Sequence, residues 1–120
     1  MKVLALRGAT TVDENSKAEV DSKTQRLVSE MLERNAIGHD DLISIIFTAT
    51  DDITAEFPAT AARALGLGDV PLLCARELAI DHGMSFAIRV LMHFYGEQSR
   101  DALHHVYLEG ARTLRDDLPA

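Results

Sequence analysis

Two arginines stand inside stretches that are otherwise apolar, and they pose the chemical question. Arg7 lies in VLALRGATT and Arg89 in FAIRVLMHFY. If both stretches are strands, alternation puts Arg7 with Val3 and Ala5, opposite Leu4 and Leu6. It likewise puts Arg89 with Ala87, Leu91 and His93, opposite Phe86, Ile88, Val90, Met92 and Phe94. A guanidinium keeps its charge in a protein, so burying one requires an anionic partner. The partner is either a protein carboxylate, giving a structural salt bridge, or a bound anion gripped by the planar fork. Small neighbours (Gly8, Ala9, Ala87) leave room for a pocket, but spacing alone leaves both readings open.

Few other residues offer chemistry. Glu77 follows VPLLC and reads as a loop carboxylate paired with Arg76 or another arginine. Tyr107 alternates against Val106 and Leu108, which turns its hydroxyl toward a cleft or the open sheet surface. Cys74 has no partner signature around it and reads as a small hydrophobe rather than a nucleophile. The five histidines lack zinc-site spacing, so no metal is expected. There is no phosphate-loop, dinucleotide or nucleophile-elbow motif.

Composition narrows the setting. The chain has 120 residues and a net charge of -7, from 19 acidic and 12 basic side chains. This acidic balance speaks against nucleic acid and anionic lipid as partners. Three of the basic residues are Lys and nine are Arg, a bias that suits bidentate recognition better than solubility. A single cysteine excludes an internal disulfide and points to the cytoplasm. The start MKVLALRGATT is broken by Arg7 and Gly8 too early for a signal peptide. No apolar run reaches membrane-spanning length.

The elements that must position these residues read as follows. Val3–Thr11 predicts a strand. Ser16 and Glu19 fit a capping box ahead of an amphipathic helix from about Lys17 to Asn35, with Val20, Thr24, Leu27, Val28, Met31 and Leu32 on one face. Leu42–Thr50 is nearly all apolar or β-branched, the pattern of a strand buried on both faces. Pro58 opens a short helix through Leu65, stopped by Gly66 and Gly68. Val70–Cys74, Phe86–Tyr95 and His104–Leu108 complete about five strands, and Gly110–Leu118 allows a final helical turn or two. One domain, residues 1–120, of α/β or α+β class with a mixed sheet is expected.

The assembled residues resemble the monofunctional, AroH-type chorismate mutases. The likeness begins with Arg7-Gly8-Ala9-Thr10-Thr11-Val12 and runs through Thr48-Ala49-Thr50-Asp51, Phe57-Pro58-Ala59, and Ala61 with Arg63. It continues through Val70-Pro71-Leu72 with Cys74 and Glu77, Ile88-Arg89-Val90, His105-Val106-Tyr107-Leu108-Glu109, and Leu114-Arg115 with Asp117-Leu118. These blocks keep the family's order over nearly the whole chain and include each polar position singled out above.

The resemblance implies the Claisen rearrangement of chorismate to prephenate, toward phenylalanine and tyrosine, with no cofactor, metal, covalent intermediate or proton transfer. It implies that Arg89 faces the breaking ether oxygen and the side-chain carboxylate, which Arg7 and the Tyr107 hydroxyl also clamp. Glu77 would accept the ring hydroxyl with Cys74 beside it, and Leu73 would contribute a backbone contact. Phe57, Ala59 and Leu114 would form apolar walls, and Arg63 and Arg115 a cationic mouth. It also implies a mixed five-stranded sheet with helices on one side, in a homotrimeric pseudo α/β-barrel with active sites between subunits. Thr60 stands where relatives can carry Lys, Leu73 where a small polar residue can occur, and the loop Leu65–Asp69 is about one residue short. Two other classes fit the bare residues. One is a trimeric sensor that binds a small aromatic carboxylate without turnover. The other is an assembly module whose strand arginines only make interface salt bridges.

Overall fold

The structure, a computed structural model, describes residues 1–113. Five strands and two α-helices follow one another as β1 (Lys2–Thr11), α1 (Lys17–Arg34), β2 (Leu42–Ala49), α2 (Pro58–Ala62), β3 (Leu72–Arg76), β4 (Ala87–Gly96) and β5 (Val106–Tyr107). They form one mixed sheet in the order β3-β2-β4-β1-β5. The central strand β4 runs antiparallel to β1 and β2, and the outer pairs β1–β5 and β2–β3 are parallel. The α+β class and mixed sheet expected from the sequence are what the chain forms.

Helix α1 starts where Ser16 accepts a hydrogen bond from the Glu19 N–H. The reciprocal half of the expected capping box is rerouted, since the Glu19 carboxylate accepts from the Asp13 N–H and so anchors the preceding loop. The predicted apolar face is the buried one: Val20, Thr24, Leu27, Val28 and Met31 turn onto the sheet. There Leu27, Val28 and Met31 meet Leu6, Ile45, Phe47, Met92 and Phe94 in the main core, while Val20 joins Val12 and Ile88 in a smaller cluster. Each such side chain contributes about 1.5–3 kcal/mol when fully buried. Gly8 makes the close approach possible, because a Cβ there would lie 2.4 Å from the Met31 sulfur. The glycine beside Arg7 therefore has a packing reason of its own.

The helices cover one face of the sheet. In β2, Ile45 and Phe47 are fully buried, whereas Ser44, Ile46 and Thr48 are only partly covered. The expectation that this strand is buried on both faces does not hold within a single chain. A register shift between Leu42 and Ser44 adds a further twist: one residue bulges, so Leu42 joins the core face despite its even number.

Other boundaries move for identifiable reasons. β3 starts at Leu72 rather than Val70. Val70 is instead buried in the core, and Pro71, which has no N–H, enters the sheet only through its carbonyl, bonded to the Ile45 N–H. Phe86 falls outside its predicted strand at φ 50°, a strained value for a bulky residue, with its N–H held by Asp52. The second helix gives way at Arg63 to a wider turn through Leu67, in which Gly66 takes φ 88°. The final segment makes a short 3-10 turn at Glu109–Thr113. Residues 114–118 of the predicted turn lie outside the described residues.

Candidate active site

The face of the sheet turned away from the helices carries the polar residues, and strand register decides which of them meet. Tyr107 pairs with Ala9, Ala9 with Arg89, and Arg89 with Thr48. Paired residues on adjacent strands project to the same side, so these four form one transverse row. The next row on the same face is Arg7, Leu91, Ile46 and Leu73. A groove of about 330 Å³ runs between the rows, lined by Arg7, Ala9, Ile46, Thr48, Arg89 and Tyr107, among others. Ala9, almost fully buried, leaves the gap between Tyr107 and Arg89. Val106 and Leu108 point into the core, as alternation required for Tyr107 to face outward.

Glu77 joins this group from the end of β3. Its backbone N–H bonds the Ala49 carbonyl, and its carboxylate accepts from the Thr48 hydroxyl at 3.2 Å. The other carboxylate oxygen lies 2.7 Å from Nε of Arg89. The buried Nε–H of Arg89 is not aimed at it, so the contact is an ion pair that leaves this donor without an acceptor among the described residues. Arg89, not Arg76, is thus the partner of Glu77. The guanidinium remains 43% exposed, so the pairing does not enclose it. Two cations and a phenol lining one groove, with the Glu77 carboxylate held beside it by Thr48 and Arg89, can bind a small dianion and orient a hydroxyl.

The remaining predicted positions lie elsewhere. Phe57 and Cys74 line a second cavity of about 410 Å³ at the β3 edge, with Glu56 and Arg76 and with none of Arg7, Arg89 or Tyr107 in its walls. Cys74 is half-buried and packs against the core, as a small hydrophobe would. Ala59 is buried within the core. Arg63 is exposed and donates to Thr60, which in turn donates to Glu56. Leu73 is 60% exposed on the open face. Leu114 and Arg115 lie outside the described residues.

Thr48 is the site residue that sequence reasoning named only as part of a motif. Its link to Glu77 depends on register with Arg89, which periodicity within one strand does not encode.

A family model described as chorismate mutase type I matches residues 3–118. The chain is 42% identical over 117 residues to a Thermus thermophilus protein named chorismate mutase AroH, covering 97% of this chain and 96% of that protein. A Bacillus subtilis protein of the same name is 37% identical over 119 residues, covering 98% and 94%. The solved structure of a chorismate mutase from Clostridium thermocellum matches with a TM-score of 0.89 at 44% identity, covering 91% of this chain and 97% of that one.

Proposed function

We infer, for a chain that belongs to the type I chorismate mutase family, that it rearranges chorismate to prephenate in the groove on the open face of its sheet. The observation that carries the assignment of the site is the register that gathers Arg7, Arg89 and Tyr107 around one cavity. The reaction is unimolecular, so the protein must hold a flexible dianion in its compact chair-like conformer and stabilise the charge that develops as the C–O bond breaks. Holding the conformer removes an entropic part of the barrier. Fixed positive charge acts selectively where the ether oxygen becomes more negative in the transition state.

In this reading Arg89 faces the ether oxygen and the side-chain carboxylate. Its exposed guanidinium suits both. Arg7 and the Tyr107 hydroxyl clamp that carboxylate. Glu77, held by Thr48 and Arg89, accepts the ring hydroxyl. None of these groups needs to gain or lose a proton.

Phe57, Ala59, Arg63, Leu73 and Cys74 complete the site in a homotrimer, where a neighbouring copy brings its β3 edge against this groove. Residues 1–120 act as one domain in that assembly. Support comes from the uncovered sheet face, where Ile46, Leu73 and Leu91 form an apolar row beside the groove. No helix among the described residues is long and apolar enough to cross a membrane. With a lone cysteine left reduced, the enzyme belongs in the cytoplasm.

The test is to follow chorismate loss and prephenate formation with purified protein, with mass in solution measured on the same sample. Acceleration by a trimer is expected. Binding without turnover would refute the enzyme, and full activity in a monomer would refute the shared site.

A further inference from the structure

The N–H of Arg7 is bonded to the side chain of His105, whose Nδ1 lies 3.0 Å away. A parallel ladder would ordinarily meet this N–H with a backbone carbonyl from β5. That strand is only two residues long, pairing Val106 with Gly8 and Tyr107 with Ala9. The carbonyl before it, on His104, accepts instead from the buried Asn35 side chain at the end of α1, and the His104 N–H donates to the same side chain. The chain therefore leaves the ladder one residue early, and an imidazole takes the place of the missing backbone acceptor.

We propose that His105 is a positioning residue: its Nδ1 lone pair fixes the peptide of Arg7 and so sets the clamp that Arg7 and Tyr107 form. This rests on the assignment of that pair to the substrate carboxylate. The chemistry requires one protonation state. Arg7 N–H is a donor, so Nδ1 must be unprotonated and the ring proton must reside on Nε2. The same bond ties the strand of Arg7 to the segment that delivers Tyr107, two residues on from His105. Among the described residues, Arg7 and Arg100 are the charged side chains lining the cavity beside the ring, β4 presents Leu91 there, and α1 reaches the segment through Asn35. A small error in peptide orientation is multiplied at the end of a long guanidinium side chain, and an error of about 1 Å can cost about a hundredfold in rate.

The experiment compares wild type with His105→Asn, whose Oδ1 can accept near the place of Nδ1, and His105→Leu, which fills the space without an acceptor. Nitrogen NMR on the wild type reads the tautomer directly. Expected are an unprotonated Nδ1, a fall of at least about tenfold in kcat/KM for the Leu variant, carried mainly by KM, and recovery to within about threefold in the Asn variant. A protonated Nδ1 would overturn the proposal, as would a Leu variant within about threefold of wild type, or an Asn variant no better than Leu. If the Leu variant fails to fold, the Asn variant and the NMR signature decide. If wild type itself leaves chorismate unchanged, the functional assignment fails, and the Arg7–His105 bond is then judged by the Nδ1 signature alone.

Discussion

Replacing Arg89 with Ala should separate activity from stability by a wide margin. Its partner Glu77 is 17% exposed, but Arg89 itself is 43% exposed. A pair this open to water contributes only about 0–1 kcal/mol to folding. Glu77 keeps its hydrogen bond from Thr48 after the change, so its carboxylate is not stranded. The unfolding free energy should therefore move by no more than about 1 kcal/mol. The transition state loses far more. One preorganised donor aimed at developing charge is worth about 2.7–4 kcal/mol, or about 10²–10³ in rate. Arg89 brings a full charge as well as a donor, so the upper end is the expectation. Arg89→Lys keeps the charge without the planar fork and should fall between the two. Chorismate consumption under saturating and limiting substrate, beside a urea titration and a mass measurement, reads both quantities. An Arg89→Ala enzyme within about tenfold of wild type would refute the electrostatic role. Loss of activity matched by loss of folded assembly would show instead that the arginine is an interface salt bridge.

Further outcomes follow from other contacts. Asn35→Ala removes three side-chain hydrogen bonds, to Met31 and to both backbone groups of His104, and should cost about 2 kcal/mol in a urea titration. Leu73→Asp adds a charge at a side chain 60% exposed in the lone chain, so a monomer should tolerate it within about 0.5 kcal/mol. Sedimentation should instead show dissociation if a neighbouring copy covers this face. The Lys23 ammonium is held above its ordinary value of 10.5, first by its hydrogen bond to Glu109. The charged form is favoured by folding, so its contribution is complete below that value and fades as pH rises through the higher folded value. The stability difference between wild type and Lys23→Met should accordingly shrink in alkaline unfolding curves.

Much of this arrangement was legible before the fold, and the parts that were not have physical reasons. Alternation within β1 and β4 separated Arg7 and Arg89 from the core because the helix-covered face excludes charged side chains. The stripe from Val20 to Met31 announced α1 in the same way. Periodicity could not say that β2 leaves one face open, since an apolar face without a helix reads the same along the strand as one against a helix. Nor could it anticipate the bulge near Ser44, which changes the phase of one strand against another. The Glu77–Arg89 pair and the Thr48 link belong to register, a relation between strands that no single stretch contains. Phe86 was misplaced because its left-handed backbone is fixed by Asp52, more than thirty residues away.

The row of Tyr107, Ala9, Arg89 and Thr48 makes the sheet a ruler for whatever lies on it. Adjacent strands are about 4.8 Å apart, so the row from Tyr107 to Thr48 spans about 14 Å in three fixed steps. Along a strand the next usable position on the same face comes two residues on, about 7 Å away. No side chain can be shifted by a smaller amount without changing its length, and a slip of one residue would drive Arg89 into the core and Val90 into the groove. Adaptation to a longer or shorter ligand must therefore proceed by exchanging side chains at the graduations, as from Arg to Lys or Tyr to Phe, and not by sliding the strands.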